Sequence, residues 1–375
     1  MIWIKSIVSS ISLRDLFIIT LNSSILFVVT NLIFVYFSPS LIPKLPSGFV
    51  DAISSCYRPL YHFQLNSLDI ESNFEIVFGD SYSEGSGDEF LSESENYGIF
   101  KKLSLNHVDR FYVIYGKGGY GSLSTLRNAI HCEPLLNYFT SLSYSQQNIE
   151  RVTFIFYEGN DLFDNLVELE RPHLDHRQVM SIPLEVSTLR FFLPLAEYFY
   201  KKVKSLLIRD TNTNMKTELL KIDFPTTSNG IDIPVYPQSA VLELTGAELG
   251  IAFGVLEDVL VKIMDMYPST KLQFLYIPAV ASVYHFEGAL PVQSFKGQSP
   301  FISTGENSEE RHIYLLGRTK SLTERIGWQF CDTSGSLKTL TSKGIPVHGP
   351  KDWKHFNYFA YNSVTESYLS CFEND

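Results

Sequence analysis

FEIVFGDSYSEG, residues Phe74 to Gly85, decides the fold. Phe74, Ile76, Val77 and Phe78 make an apolar, partly β-branched run that stops at Gly79, which reads as a buried strand entering a turn. An acid, a serine and further small residues follow, so the chain turns sharply with Ser81 at its tip. A serine at the carboxyl end of a central strand stands where open α/β folds put their chemistry. Its hydroxyl alone is a poor nucleophile. It needs a base to take its proton and N–H donors for the oxyanion that follows.

Outward from this stretch the same pattern repeats. Arg110 to Tyr115 reads as a second strand ending in GKGGYGS (116–122), and Leu123 to Phe139 then fits a helix. VTFIFY (152–157) is a third strand, ending in EGND (158–161). Strand, glycine turn, helix, strand, glycine turn is the mark of right-handed parallel βαβ units. Ala240 to Met266 is apolar-periodic without an internal proline and reads as one helix. KLQFLYIP (271–278) is a fourth strand, Glu309 to Arg325 a helix, WQFCD (328–332) a short fifth strand, and Tyr358 to Leu369 helical. Asp210 to Gln238, rich in proline and polar residues, is expected as an excursion outside the core. Glu84 to Glu95 holds five acids and no base and is expected as a solvated loop. The fold class predicted is α/β, a three-layer α/β/α sandwich on a mostly parallel sheet of about five strands.

Chemistry gathers at the ends of these strands: Ser81, the glycines around Gly119, and Asn160. DWKH (352–355) adds an acid and a histidine three residues apart before the last helix. That spacing lets Asp352 accept from one imidazole nitrogen of His355 while the other faces Ser81, the order of parts in a serine–histidine–acid triad.

With these four blocks the sequence resembles the SGNH, or GDSL, hydrolase family over roughly residues 74–372. The resemblance implies Ser81 as nucleophile, and Asp352 and His355 as the catalytic acid and base. It implies an oxyanion hole of the Ser81 N–H, a backbone N–H of the second block and the Asn160 side-chain amide. The second-block glycine is Gly119, with Gly116 and Gly121 as alternatives in register. No metal or cofactor is required. The activity implied is a serine esterase cleaving acyl esters, O-acetyl groups on a cell-envelope or exported polysaccharide among them. An O-acyltransferase would use the same residues, with a sugar hydroxyl attacking the acyl-enzyme. A non-catalytic anchored binding or assembly protein is the third reading, and the intact set of Ser81, Asn160, Asp352 and His355 argues against it. The elbow of α/β-hydrolases carries glycine two residues after the serine. Here that position is Ser83. The chain between Asn160 and Asp352 is long for the family and implies an added substrate-shaping subregion.

Other residues read more plainly. His173, Asp175 and His176 fit a surface loop better than a metal site, and no Cys/His spacing suggests zinc. Tyr82, Tyr120 and Trp353 flank the motifs, with sugar stacking and core packing both open. Asp80 and Asp161 are expected to brace the turns they sit in.

Leu16 to Phe37 contains no charged side chain. As a helix its twenty-two residues span roughly 33 Å, enough to cross a bilayer core. A retained transmembrane helix is expected, since no small-x-small cleavage site follows. The predicted layout is a leader at 1–15, an anchor at 16–37, a linker at 38–69 carrying three prolines between Ser38 and Phe49, and a catalytic domain at 70–375. The domain is expected to be exported, with an ester-bearing small molecule or glycan as partner. A formal charge of −11 removes the basic field that a nucleic-acid surface needs. Export permits disulfides, but four cysteines allow three pairings that sequence cannot rank, and buried free thiols are the default.

Overall fold

All five strands read from the sequence form, and they join in one sheet. The computed structural model describes residues 13–41, 73–92, 98–106, 110–140, 149–171, 180, 221–228, 231–297 and 300–372. The chain divides into two compact units, one of Met1–Ser67 with Ser187–Thr211 and one of Leu68–Val186 with Asn212–Asp375.

In the first unit the described part is α1 (Leu13–Leu41). The helix runs through Ser38–Leu41, which were expected as the start of an extended linker; the rest of that linker lies outside the described residues. Among the described residues no helix is long and apolar enough to cross a membrane. The uncharged run includes residues 16, 17, 19 and 34–36, whose side chains lie outside that set.

The second unit is an α/β fold. Its sheet joins β1 (Asn73–Phe78), β2 (Arg110–Ile114), β3 (Ile149–Tyr157), β6 (Lys271–Ile277) and β9 (Gln329–Asp332) in the order β2-β1-β3-β6-β9, every pair parallel. β1 and β3 are buried almost without interruption because helices cover both faces of a parallel sheet. Phe154, Phe274 and Phe330 are direct register partners across β3, β6 and β9, their rings stacked at 5.6 and 5.9 Å. Of these, the buried Phe154 and Phe274 each contribute about 1.5–3 kcal/mol through area removed from water, while Phe330 is half-buried.

The helices that follow the strands are α2 (Ser81–Glu84), α3 (Asp88–Leu91) and α4 (Gly98–Asn106) after β1, α5 (Ser122–Thr140) after β2, and α6 (Asp161–Leu169) after β3. After the hairpin β4 (Lys221–Ser228)–β5 (Ile231–Val235) comes α7 (Gly246–Met266). α8 (Val280–Val283) follows β6, and a second hairpin, β7 (Ala289–Val292)–β8 (Phe301–Thr304), leads into α9 (Gly305–Arg325). α10 (Ser334–Ser342) and α11 (Tyr358–Phe372) complete the chain.

Three expectations are corrected here. The segment expected as an excursion contributes β4–β5, and Ile231, Ile233 and Val235 enter the core, because alternate residues of a short strand can be apolar inside a polar stretch. The helix expected from Ala240 starts only at Gly246. Thr245 accepts from Glu248 N at 3.3 Å while Glu248 reaches back to Thr245 N at 2.7 Å, a capping box that ends the preceding turn of 3₁₀ helix (Ala240–Glu243). The described cysteines are not free thiols. Cys331 on β9 is bonded to Cys371 on α11, Cys132 is disulfide-bonded as well, and no described cysteine is free. Which thiols meet depends on tertiary approach, which the spacing alone does not carry.

The same end of the molecule is pinned by polar contacts. From α11, the Tyr368 hydroxyl donates to Glu75 Oε1 and to Gln273 Oε1, the latter at 3.0 Å, while Thr153 donates to Glu75 at 2.6 Å. These groups are buried in the sheet. They fix α11, and with it the segment just before it.

Candidate active site

The turn after β1 is built by Asp80. Its Oδ1 accepts from Tyr82 N at 2.9 Å, capping α2, and its backbone oxygen accepts from Ser83 Oγ at 2.6 Å. Gly79 has φ +141°, and a Cβ there would come within 2.8 Å of Ile155 O, so only glycine lets β1 turn this close to β3. Ser81 is thereby held at the carboxyl edge of the sheet, 8% exposed.

His355 Nε2 lies 3.0 Å from Ser81 Oγ, and His355 Nδ1 lies 2.6 Å from Asp352 Oδ2. The 346–359 segment that carries both residues is tied to the serine turn at two points. The Tyr82 hydroxyl donates to Lys354 O at 2.9 Å, and Asp88 accepts from Asp352 N at 2.6 Å and from Lys351 N at 3.0 Å. Asp88 belongs to the acidic stretch expected as a solvated loop. Its described part instead forms α3 and binds the Asp352 backbone, which composition could not reveal because the partner is more than 260 residues away. Tyr82 is fully buried against Tyr157 and Phe356, which decides its role for packing.

Burial pushes the Asp352 carboxyl upward, but the His355 hydrogen bond and charge and the Lys354 N–H outweigh it and hold it below its ordinary value. Asp80 goes the other way: burial raises it, and the Tyr82 N–H, His355 and the Ser81 hydroxyl only partly offset that.

Asn160 sits on the turn after β3, the strand paired with β1, so its side chain and Ser81 belong to neighbouring parallel strand ends. Its Nδ2 donates to Asp164 Oδ2 at 2.5 Å, and its Oδ1 has no hydrogen-bond partner. One amide hydrogen is thus engaged and the second remains. Asp161 braces the turn by accepting from Tyr157 N at 2.8 Å. Burial lifts Asp164 to about 7, with the Asp80 and Glu168 carboxylates adding to it.

Gly121 N–H donates to Glu168 Oε1 at 2.8 Å, and a Cβ added at Gly116 would meet Ser83 and Gly79. Gly119 is exposed with φ +77° and nothing within 4 Å of an added Cβ. The glycine beside the nucleophile is Gly118, whose added Cβ would lie 3.7 Å from that of Ser81 and whose N–H donates to Glu84 Oε2 at 2.8 Å.

Among the described residues no group of three or more histidine, cysteine or acidic side chains could hold a metal. His173, Asp175 and His176 lie outside the described residues.

No family model matches the chain, and no curated protein does. Solved structures similar to it include an extracellular lipase from Streptomyces rimosus, at 12% identity over 81% of this chain and 99% of that one, with a TM-score of 0.37. A lipase from a goat rumen metagenome matches at 12% identity over 80% and 98%, TM-score 0.37. An α/β-hydrolase enzyme from the metagenome of Lake Arreo matches at 11% identity over 80% and 96%, TM-score 0.32. The arrangement described above stands on its own geometry.

Proposed function

We propose that the chain is a serine esterase of SGNH type. The observation that carries the reading is the relay of Ser81, His355 and Asp352, at 3.0 and 2.6 Å, on the carboxyl edge of a parallel sheet. In this mechanism Ser81 Oγ attacks the ester carbonyl carbon as its proton passes to His355 Nε2. Asp352 stabilises the imidazolium that results. The Ser81 N–H, a backbone N–H of the 116–121 loop and the free Asn160 amide hydrogen hold the oxyanion. Collapse expels the alcohol, which takes the proton from His355 and leaves an acyl group on Ser81. Water, deprotonated by His355, then attacks the acyl carbon, releasing the acid and restoring the serine.

The setting proposed is an exported domain on a membrane anchor. Two observations favour it. Disulfides persist in oxidising compartments, and Cys331–Cys371 and bonded Cys132 fit one. The complete run 16–37 is uncharged, and Leu21, Ile25, Leu26, Val29 and Ile33 of α1 are each between 44% and 67% exposed, an apolar band unsuited to water.

Labelling with a fluorophosphonate probe tests the chemistry. The chain should be labelled at Ser81, the Ser81→Ala variant should not, and p-nitrophenyl acetate hydrolysis should be lost with the label. Equal hydrolysis by Ser81→Ala would end the esterase reading.

A further inference from the structure

Four of the six residues from Gly116 to Gly121 are glycine. A backbone of that composition has many conformations open to it. A donor for a developing oxyanion is useful only when held within about 0.5 Å of its place. Something outside the loop must therefore hold it.

Its hydrogen bonds show what does. Lys117 to Tyr120 is a turn closed by Tyr120 N, which donates to Lys117 O at 3.0 Å, and Gly119 takes φ +77° at the third position, as in a type II turn. On one side of the turn the chain is fastened to α6, the helix that follows Asn160. Gly121 N and Ser124 N donate to Glu168 Oε1 at 2.8 and 3.2 Å, and Leu123 N donates to Glu168 Oε2 at 3.0 Å. On the other side Gly118 N donates to Glu84 Oε2 at 2.8 Å. Between these two anchors the Gly119 N–H has no acceptor among the described residues.

Glu84 is the last residue of α2, the single helical turn that begins with Ser81. Glu84 N donates to Asp80 O at 3.3 Å, and Gly85 N donates to Tyr82 O at 3.2 Å, so the turn is closed around the serine. Nucleophile and carboxylate thus belong to one small rigid unit. The loop lies against that unit: a Cβ added at Gly118 would stand 3.7 Å from Ser81 Cβ and 3.5 Å from Glu84 Oε2. A backbone N–H donating to a carboxylate is among the stronger contacts available to such a loop.

We propose that Glu84 is a positioning residue of the oxyanion hole: it ties the 116–121 loop to the helical turn of the nucleophile, so that the loop's backbone donor is in place when charge develops on the ester oxygen. The assignment rests on the esterase reading of Ser81. Its rival is that Glu84 occupies a donor the substrate needs, in which case removing the carboxylate would speed the reaction.

Hydrolysis of p-nitrophenyl acetate by the full chain tests this, with turnover counted per molecule that a fluorophosphonate probe can label. Glu84→Ala should lower kcat about tenfold or more while KM stays within about twofold, because the loop acts on the transition state rather than on the bound ester. Glu84→Gln keeps an acceptor oxygen at the same reach and should recover most of the loss. Glu84→Asp keeps the charge but shortens the arm by one methylene; it should show the loss, and it serves if Glu84→Ala does not fold. Trifluoroacetophenone reads the oxyanion directly. Ser81 Oγ adds to its carbonyl carbon, the serine proton passes to His355, and the carbonyl oxygen becomes the anion that the hole must hold. Its inhibition constant should rise about tenfold or more in Glu84→Ala and return towards wild type in Glu84→Gln. A merely structural role would lower the melting temperature and leave both kcat per labelled molecule and the inhibition constant unchanged. That result, or a faster Glu84→Ala, would overturn the assignment while labelled wild type keeps the esterase reading intact. A wild type that neither hydrolyses the ester nor takes the label would overturn both.

Discussion

A serine hydroxyl has one proton, and that of Ser81 faces two acceptors: His355 Nε2 at 3.0 Å and Asp80 Oδ2 at 3.1 Å. Nucleophilic attack needs the proton on the histidine side. Because burial raises Asp80, its neutral form persists to higher pH, and a neutral Asp80 can donate to Ser81 Oγ instead of competing for the proton. The sign follows. As pH rises through the raised pKa, Asp80 ionises, becomes an acceptor only, and kcat should fall. The Asp80 charge in turn adds to the rise of the buried Asp161 and Asp164. Asp80→Asn keeps an oxygen for Tyr82 N and offers a permanent donor to Ser81, so its kcat–pH profile should lose that fall with rising pH. The same fall with rising pH in Asp80→Asn would dismiss the idea. A second expectation concerns Asn160. Removing one oxyanion donor costs about 3–4 kcal/mol, so Asn160→Ala should lower kcat roughly 10²–10³-fold with little change in KM. A turn-bracing role alone predicts the reverse: lower thermal stability with normal turnover per folded molecule. At this scale the sequence was informative wherever residue type and spacing coincide, as for Asp352 and His355, which lie three apart. It was silent where a partner is distant, as for Asp88 beneath Asp352.

Elements rather than residues position the Asn160 turn. Glu158, two residues before it, is buried at the end of β3 and collects four donors: Ser282 Oγ at 2.6 Å, Tyr276 OH at 3.0 Å, Ala279 N at 3.3 Å and His312 Nδ1 of α9 at 2.7 Å. β3, β6, α8 and α9 therefore meet on one carboxylate. Burial opposes charge on both partners, yet the bond and charge of each hold Glu158 below its ordinary value and His312 above it. Glu309 adds to the rise of His312 and Lys338 opposes it. Stability from Glu158 is lost as pH falls through its lowered pKa, and that from His312 as pH rises through its raised one, so the pair contributes most between the two. Stranding Glu158 without its cation typically costs about 3–5 kcal/mol, and His312→Leu should lose about that much in urea unfolding near neutral pH. The deficit should shrink above the His312 pKa. A deficit independent of pH would mean that the pair is held as neutral groups. None of this was legible beforehand: a lone histidine in the middle of a polar helix gives no periodic signal, whereas the strands it helps to join announce themselves by continuous apolar runs such as VTFIFY. The hairpin β7–β8 was missed for a related reason, since four-residue strands are too short to show a period.

On the scale of the whole molecule, the carboxyl-terminal helix and the amino-terminal one pose opposite problems. α11 is fastened at its far end by Cys331–Cys371, a bond closing a 40-residue separation, worth about 4 kcal/mol on chain-entropy grounds. That matters for the chemistry because the Asp352–His355 segment feeds directly into this helix. α1 has an exposed apolar band and no charged side chain from Leu16 to Phe37. On the anchor proposed above, the helix would satisfy its own backbone in lipid, and its uncharged run of roughly 33 Å would match a hydrocarbon core. Asn22, Ser23, Ser24, Thr30 and Asn31 weaken the run, but Ser24, Thr30 and Asn31 each donate to the backbone oxygen four residues earlier, which lowers the cost of burying them. The full chain should therefore sediment with membranes, resist washing at high salt and at alkaline pH, and come off only with detergent. A peripheral contact held by charge would be released by salt, and a chain cut beyond Phe37 would appear in the soluble fraction as a shorter product. Replacing Leu26 and Val29 by lysine places two charges near the middle of the run, each costing about 2.5–3.5 kcal/mol at the centre of a spanning helix, so that variant should fail to insert. Membrane retention undiminished in that double variant would show that α1 is not what holds the protein there.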